Sequence, residues 1–269
     1  MKDIRLALEA EVNGCRAEFF LNDIPLYLLE DDDKDVRPVN HYMINGENTV
    51  SIVVDPGTFP GMKQENKIKK KLIAPIHVRA QLVKYPEGVF PGDPSGVPLI
   101  SINLNFNSGD EVEFPYVATV KDKVDLAFDR WVWQDADDLD LSKNTVQEVQ
   151  AVLMRLQQSL KSGVPDEYID LYKYRYEEFS KAFGLDVNNL IKSTKDTFEE
   201  RKTNNPDLEI EDLTPTKFSL RLIANKKMIE CIAKDWQPIL RSKPNALNQV
   251  ENYFDVRVSR IGGKMWVIR

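Results

Sequence analysis

The chain has 269 residues and a formal net charge of −7, with 42% hydrophobic and 29% charged residues. This balance is typical of a folded soluble protein and excludes a disordered one. It contains only two histidines and two cysteines, Cys15 and Cys231, and none of them has the spacing of a zinc motif. We therefore expect no metal site and no cofactor, and the distant cysteines favour reduced thiols over a disulfide scaffold.

The first half of the chain is predicted to be a series of strands. Polar and apolar residues alternate over residues 4–12, and Asn13 and Gly14 are typical of a two-residue hairpin turn into a returning strand at 15–21. Further strands are predicted at 48–54, 76–83, 97–106 and 114–125. Short turns separate these strands, which predicts an all-β sandwich domain at 1–130.

The pattern changes to helical spacing near residue 142. A helix is predicted from Thr145, which forms a capping box with Glu148, to a terminating glycine at Gly163. A second helix is predicted at 165–184 and a third at 187–202. Strands are then predicted at 218–224, 228–236, 238–241, 253–261 and 264–268, with a Gly262-Gly263 turn before the last. This order predicts an α+β domain at 145–269.

The boundary between the two domains is placed in an acidic linker at 131–144. Residues 1–141 contain 15 basic and 25 acidic residues, a net charge of −10, whereas 142–269 contain 21 and 18, a net charge of +3. The beginning of the sequence does not read as a signal peptide, and no stretch approaches the ~18 apolar residues of a membrane helix. We therefore expect a cytoplasmic protein without membrane contact.

Residues 18–57 resemble the galactose-binding-like jelly roll. The likeness rests on the Asn22-Asp23 turn and on the run Asn45-Gly46-Glu47-Asn48 that leads into a strand. Asp23 stands where that family usually has glycine. The matched residues shape turns, so the resemblance implies a fold and no ligand.

The end of the chain resembles the nuclear-transport-factor-2-like cone. The helices and the following strands have that order, and Gly263-Lys264, Trp266 and Ile268 match an ending that recurs there. The resemblance implies that the tryptophan packs the last strand onto the helices. Members of that superfamily include isomerases, cyclases and non-catalytic binding modules, and their enzymes often use His/Asp or Tyr/Asp arrangements. Both histidines here lie outside this half.

An acidic two-domain protein of this kind resembles bacterial immunity proteins that neutralise secreted toxins, such as type VI secretion effectors. The resemblance implies a non-catalytic protein that occludes a cognate toxin. Charge alone suggests a nuclease as the toxin, because nucleases carry basic grooves. The chain itself is not expected to bind nucleic acid, since its basic run at 67–71 lacks interleaved aromatic residues.

Two acidic runs are candidates for contact with such a partner. They are Glu30, Asp31, Asp32, Asp33 and Asp35 in the first run, and Asp135, Asp137, Asp138 and Asp140 in the second. Clustered carboxylates attract a cationic partner through their negative potential. The same composition is typical of a solvated loop between strands, or of an acidic approach to a helix N-terminus. The second run lacks the central glycine of a calcium loop.

Two other functions are open alternatives. The first is a small-ligand-binding protein or an enzyme that uses the C-terminal domain, with Tyr168, Asp170 and Tyr172 as candidate pocket residues. The same helical stripe, which continues through Tyr176, Phe179 and Phe183, is also typical of core packing. The second alternative is a carbohydrate-binding module, which requires exposed tryptophans in a flat platform.

Overall fold

The computed structural model describes residues 5–57, 67–126, 130–204, 209–214, 218–244, 250 and 252–269. The chain divides into two compact units, Met1–Arg130 and Trp131–Arg269. The segment 131–144, predicted as a linker, lies in the second unit. Its buried residues are Trp131, Trp133, Ala136 and Leu139.

The first unit consists mostly of antiparallel sheets, as predicted. Its described strands are β1 (Arg5–Asn13), β2 (Arg16–Leu21), β3 (Ile24–Glu30), β4 (Lys34–Pro38), β5 (Gly46–Val54), β6 (Ile68–Lys71), β7 (Ile76–Tyr85), β8 (Val97–Phe106), β9 (Glu111–Phe114) and β10 (Tyr116–Val124). One four-stranded sheet has the order β4-β1-β7-β8, and the other has the order β10-β5-β2-β3. A short antiparallel pair joins β6 to β9.

The two four-stranded sheets enclose a common apolar core in a sandwich-like arrangement. Strand β5 buries Val50, Ile52 and Val54 at every second position. Strand β7 of the other sheet buries Val78 and Leu82 with the same alternation and packs against β5. Because side chains alternate between the faces of a strand, one face of each sheet supplies this core.

The hairpin predicted at Asn13 and Gly14 is wrong. Strand β1 pairs with β4 and β7, whereas β2 pairs with β3 and β5, so the chain crosses between sheets at this turn. Gly14 has a φ of +71°, and a Cβ built on it would lie 2.7 Å from the carbonyl oxygen of Pro75. The hairpin lies one strand later, between β2 and β3, where Asn22 and Asp23 both have left-handed backbone, with φ of 54° and 63°.

The second unit has helices followed by an antiparallel sheet, as predicted. Its described elements are a 3₁₀ helix (Val132–Asp135), α1 (Lys143–Ser162), α2 (Asp166–Leu171), α3 (Lys173–Phe183), α4 (Val187–Asn204), β11 (Phe218–Ile223), β12 (Met228–Ala233), β13 (Leu240–Arg241), β14 (Tyr253–Phe254), β15 (Val256–Ile261) and β16 (Lys264–Val267). The sheet order is β11-β12-β15-β16, and β13 pairs with β14. The predicted Gly262-Gly263 turn is confirmed between β15 and β16.

Helix α1 packs on this sheet. Its buried residues include Val149, Leu153 and Leu156, which share one core with Ile229 and Val258 of the strands. These residues have helical spacing in the sequence, so one face of the helix supplies the contacts with the sheet. Within the described ranges, no helix combines the length and apolarity needed to cross a membrane.

The predicted capping box of α1 is wrong. The helix has Ser142 at its N-cap, three residues before the position assumed in the prediction. The Thr145 hydroxyl donates to Asp140 at 2.9 Å, and Glu148 forms an ion pair with Arg260 at 2.9 Å. Both side chains therefore stabilise tertiary contacts at the start of the helix.

The single helix predicted at 165–184 is two helices. The backbone leaves helical geometry at Tyr172, where φ is −93° and ψ is 9°, and α2 ends there before α3 begins. Gly163 and Gly184 adopt left-handed backbone after α1 and α3, as predicted for the former. The break at Tyr172 shifts the phase of the buried face along α3.

Candidate functional site

The first candidate is the acidic loop, Glu30–Asp35, which carries the chain from β3 in one sheet to β4 in the other. Two backbone hydrogen bonds hold it against the segment where the chain passes from β1 to β2. The Asp31 amide donates to the Cys15 carbonyl at 3.0 Å, and the Val12 amide donates to the Asp33 carbonyl at 2.9 Å. Asp31 and Asp32 have positive φ angles of 35° and 58°. The loop backbone is therefore fixed on the rigid ends of strands.

The two ends of the acidic loop are ion-paired. Glu30 lies 2.7 Å from the Arg16 guanidinium, and Asp35 lies 3.0 Å from that of Arg37. These exposed pairs orient the side chains but contribute little stability. Both carboxylates are therefore partly neutralised by arginines of the same unit.

The three central carboxylates of the acidic loop are exposed to solvent. Within the part of the chain that the structure describes, Asp31, Asp32 and Asp33 have no cationic partner. Of these three, Asp31 acts on the adjacent half-buried thiol: burial, followed by the charges of Asp31 and Asp55, raises the pKa of Cys15 to about 11. The centre of the loop therefore presents uncompensated negative charge.

The second acidic run is exposed but largely occupied by local contacts. Its members are Asp135, Asp137, Asp138 and Asp140. Asp138 pairs with Lys227 at 2.8 Å, and this contact holds its pKa below the usual range. Hydrogen bonds from Ser142 and Thr145 lower the pKa of Asp140 in the same way. This run therefore anchors the start of α1 and offers less free charge than the acidic loop.

The second candidate is a cavity of about 310 Å³ in the second unit, between α2, α3, α4, the end of α1 and β14. Its aromatic lining residues are Tyr168, Tyr172, Tyr176, Phe179, Phe198 and Phe254. Tyr168 stacks on Tyr172 with ring centroids 4.3 Å apart, and Phe198 meets Tyr168 edge-on at 5.5 Å. Aromatic rings thus form a large part of the wall that a ligand would contact.

Two of the three predicted pocket residues line this cavity. Tyr168 and Tyr172 do, whereas Asp170 is exposed and lies 3.8 Å from Arg155 and 3.9 Å from Lys264. Asp170 is therefore an exposed residue outside the described lining of the cavity. Burial raises the pKa of Tyr172 well above its usual value, so its hydroxyl remains protonated and donates to a backbone carbonyl.

The polar lining of the cavity was not predicted from the sequence. It includes two guanidinium groups, Arg175 and Arg201, together with hydroxyls from α4 and the amide of Asn252. No carboxylate is present among the described residues that line it. In the sequence, both arginines fall on the predicted polar faces of helices. Hydrophobic periodicity therefore does not distinguish them from arginines that are exposed to solvent.

The cysteines and histidines have structural surroundings. Cys231 is buried in β12, and burial raises the pKa of its thiol, which disfavours the reactive thiolate. His41 is buried beside the Tyr42 ring, and His77 hydrogen-bonds Asn105 at 2.8 Å. Across the described ranges, no group of three His, Cys, Asp or Glu side chains is arranged to hold a metal ion.

The tryptophans do not form an exposed platform. Trp131, Trp133 and Trp266 are buried, and Trp236 is half-buried. A carbohydrate-binding surface of the expected kind is therefore not built from these residues. Trp266 lies in β16 with the ammonium of Lys173 3.8 Å from a ring centroid.

No protein-family model, curated protein or solved structure significantly matches this chain. The resemblances to the jelly roll, the cone and the immunity proteins therefore stay predictions. Two features of the described residues are left as functional candidates. They are the acidic loop of the first unit and the aromatic cavity of the second.

Proposed function

We propose that this chain is a non-catalytic cytoplasmic immunity protein that captures a positively charged toxin through the acidic loop. One observation carries the proposal: Asp31, Asp32 and Asp33 are exposed, lack a cationic partner within the described chain, and lie on a hydrogen-bonded backbone. Clustered charge of one sign steers an oppositely charged partner and accelerates association. A fixed backbone reduces the entropy lost on binding.

The toxin is proposed to be a nuclease, such as a type VI secretion effector, whose basic groove the protein occludes. A groove that binds phosphates presents the positive potential that this loop complements. The proposal includes the finer folds, a galactose-binding-like jelly roll and a nuclear-transport-factor-2-like cone. The paired four-stranded sheets of the first unit and the helices before a sheet in the second unit support them.

The test begins with purification of the tagged chain from its native host and identification of a stoichiometric companion. That companion must be lethal when expressed alone and harmless when the chain is co-expressed. The triple variant D31N/D32N/D33N is then compared with the wild type in association-rate measurements at low salt. We expect the association rate to fall about tenfold or more and to lose much of its salt dependence.

A charge-matched control separates the acidic loop from net charge. The variant E177Q/D196N/E200Q removes three exposed carboxylates from the helices of the second unit. We expect this control to associate within about twofold of the wild type. A companion that is not toxic, or equal association rates for the two triple variants, would refute the proposal.

A second candidate function is the binding of a small molecule in the cavity of the second unit. The observation that favours it is the volume of about 310 Å³, which matches the lower range of ligand pockets, together with the six aromatic rings in its wall. A ligand that binds the native state raises the unfolding temperature in proportion to its concentration. A calorimetric screen of aromatic and aliphatic compounds against the full chain tests this function.

A further inference from the structure

The cavity of the second unit combines aromatic walls with positive charge. The inference drawn from it rests on the second candidate function, that the cavity takes a ligand, and specifies the chemistry of that ligand. Arg175 and Arg201 both line the cavity, and no acidic side chain lies among its described lining residues. A neutral apolar ligand alone would leave the guanidinium group of Arg201 at its surface without an anion.

Arg201 has the more informative position. It lies on α4, is half-buried, and donates a hydrogen bond to the carbonyl of Leu160 at the end of α1. Within the described ranges, no carboxylate forms an ion pair with it. Burial lowers its pKa, which reflects the cost of removing a cation from water without a counterion. An anionic ligand in the cavity would offset that cost.

Two of the three tyrosine hydroxyls among the described lining residues already have partners inside the protein. Tyr172 donates to the backbone carbonyl of Asp255 at 3.1 Å, and Tyr176 hydrogen-bonds Thr194 at 2.9 Å. These rings therefore present aromatic surface more than free hydroxyls. Their geometry suits a flat ring, because stacked and edge-on contacts stabilise aromatic pairs beyond the area that they bury.

We propose that this cavity binds an aromatic ring that carries an anionic oxygen group. The ring lies against Tyr168 and Phe198, and the anion is held by the guanidinium of Arg201 with that of Arg175 nearby. Guanidinium groups suit this role because their planar donors match carboxylate and phosphate oxygens. The ligand class is thus narrower than the unspecified small molecule of the second candidate function.

The probes are 2-naphthoate, its neutral counterpart 2-naphthylmethanol and its saturated counterpart decahydro-2-naphthoate, each titrated into the full chain by calorimetry. We expect 2-naphthoate to bind with a stoichiometry of one. The alcohol should bind at least about tenfold more weakly because it lacks the charge, and the saturated acid at least about threefold more weakly because it lacks the rings.

The outcomes separate the ligand class from the candidate function. Binding of the alcohol as tightly as 2-naphthoate, or binding of the saturated acid alone, would overturn the inference and leave a ligand-binding cavity of another class. Absence of binding by all three probes would overturn both the inference and the small-ligand function.

Variants at the cavity locate the bound anion. Arg201→Met should weaken 2-naphthoate binding about tenfold and leave the alcohol unchanged, while Arg201→Lys should restore part of the loss. Because Arg201 also contacts α1, a second variant leaves it intact: Ser193→Phe places a ring at the exposed mouth of the cavity and should block every probe. Lys195→Phe, on the same helix outside the lining, is its control. Unchanged 2-naphthoate binding in Arg201→Met or in Ser193→Phe would refute the assigned site.

Discussion

Disrupting the ion pair between Glu178 and Arg269 tests the packing in the second unit. Both side chains are only 2% exposed, and their nearest oxygen and nitrogen are 2.5 Å apart. The other carboxylate oxygen of Glu178 accepts the backbone N–H of Val132 at 2.6 Å. The pair therefore joins α3 to the last described residue and to the segment before α1. Glu178→Gln removes the negative charge while keeping the size of the side chain.

The expected loss of stability follows from the buried arginine that remains. Removing one partner of a buried ion pair takes the counter-charge away from the other and costs about 3–5 kcal/mol. Glutamine retains an oxygen for Val132, so this hydrogen bond adds at most about 1 kcal/mol. Glu178→Met combined with Arg269→Met removes both charges. That double variant should lie within about 2 kcal/mol of the wild type, because hydrophobic replacement of a buried pair is often neutral.

Urea unfolding followed by tryptophan fluorescence measures this effect. All four tryptophans lie in the second unit, so the signal reports the unfolding of that unit. A free energy of unfolding for Glu178→Gln within about 1 kcal/mol of the wild type would contradict the reasoning. So would a double methionine variant as unstable as the single glutamine variant.

Two more predictions concern the first unit and the thiols. Because the pKa of Cys15 is raised to about 11, its alkylation at pH 8 should be roughly 100-fold slower than that of an unperturbed thiol and should rise with pH up to about 11. Cys231 should be alkylated only after unfolding. Mass spectrometry of native and unfolded samples measures the alkylation of both thiols, and rapid alkylation of either in the native protein would contradict its burial. Gly14→Ala should destabilise the first unit by about 2 kcal/mol or more, because its positive φ is combined with a Cβ 2.7 Å from the carbonyl oxygen of Pro75. Gly109→Ala, with φ +94° and open space, should lose only about 1 kcal/mol, and equal urea midpoints by circular dichroism would refute the steric argument.

The sequence predicts element types better than it predicts which elements pair. The strand predicted at 48–54 and the helix predicted from Thr145 both rest on local patterns, and the structure has a strand and a helix there. Asn13 and Gly14 have the composition of a hairpin turn, yet the strands on either side join different sheets. Turn propensity specifies a local change of direction, whereas strand pairing depends on residues far away in the chain.

The helix break at Tyr172 explains why the aromatic stripe was only partly correct. Continuous helical spacing from Tyr172 predicted that Phe179 and Phe183 face the core, and both are half-buried. Glu178 is buried instead, on the face that turns inward after the break. The burial of Glu178 could not be predicted from the sequence, because it follows another glutamate and its partner Arg269 is distant in the chain.

The acidic runs show a similar limit. Their exposure follows from composition, because clustered carboxylates are rarely buried. Composition does not reveal that Asp138 is paired with Lys227 while Asp31 and Asp32 lack such a partner in the described chain. Those pairings depend on tertiary structure, and they decide which run can attract a partner.

The two candidate sites have opposite charge and different burial. Partner association at one and ligand binding at the other should therefore respond differently to the salt concentration. Attraction of a partner to the exposed acidic loop acts through water and is screened over ~10 Å at 0.1 M salt and ~3 Å at 1 M. The half-buried guanidinium of Arg201 contacts its ligand directly, where salt screens far less. Raising the salt should therefore slow partner association steeply while the affinity for 2-naphthoate changes only modestly. A steep fall in both would mean that the anion is held at the solvated surface, and the cavity would lose its assignment.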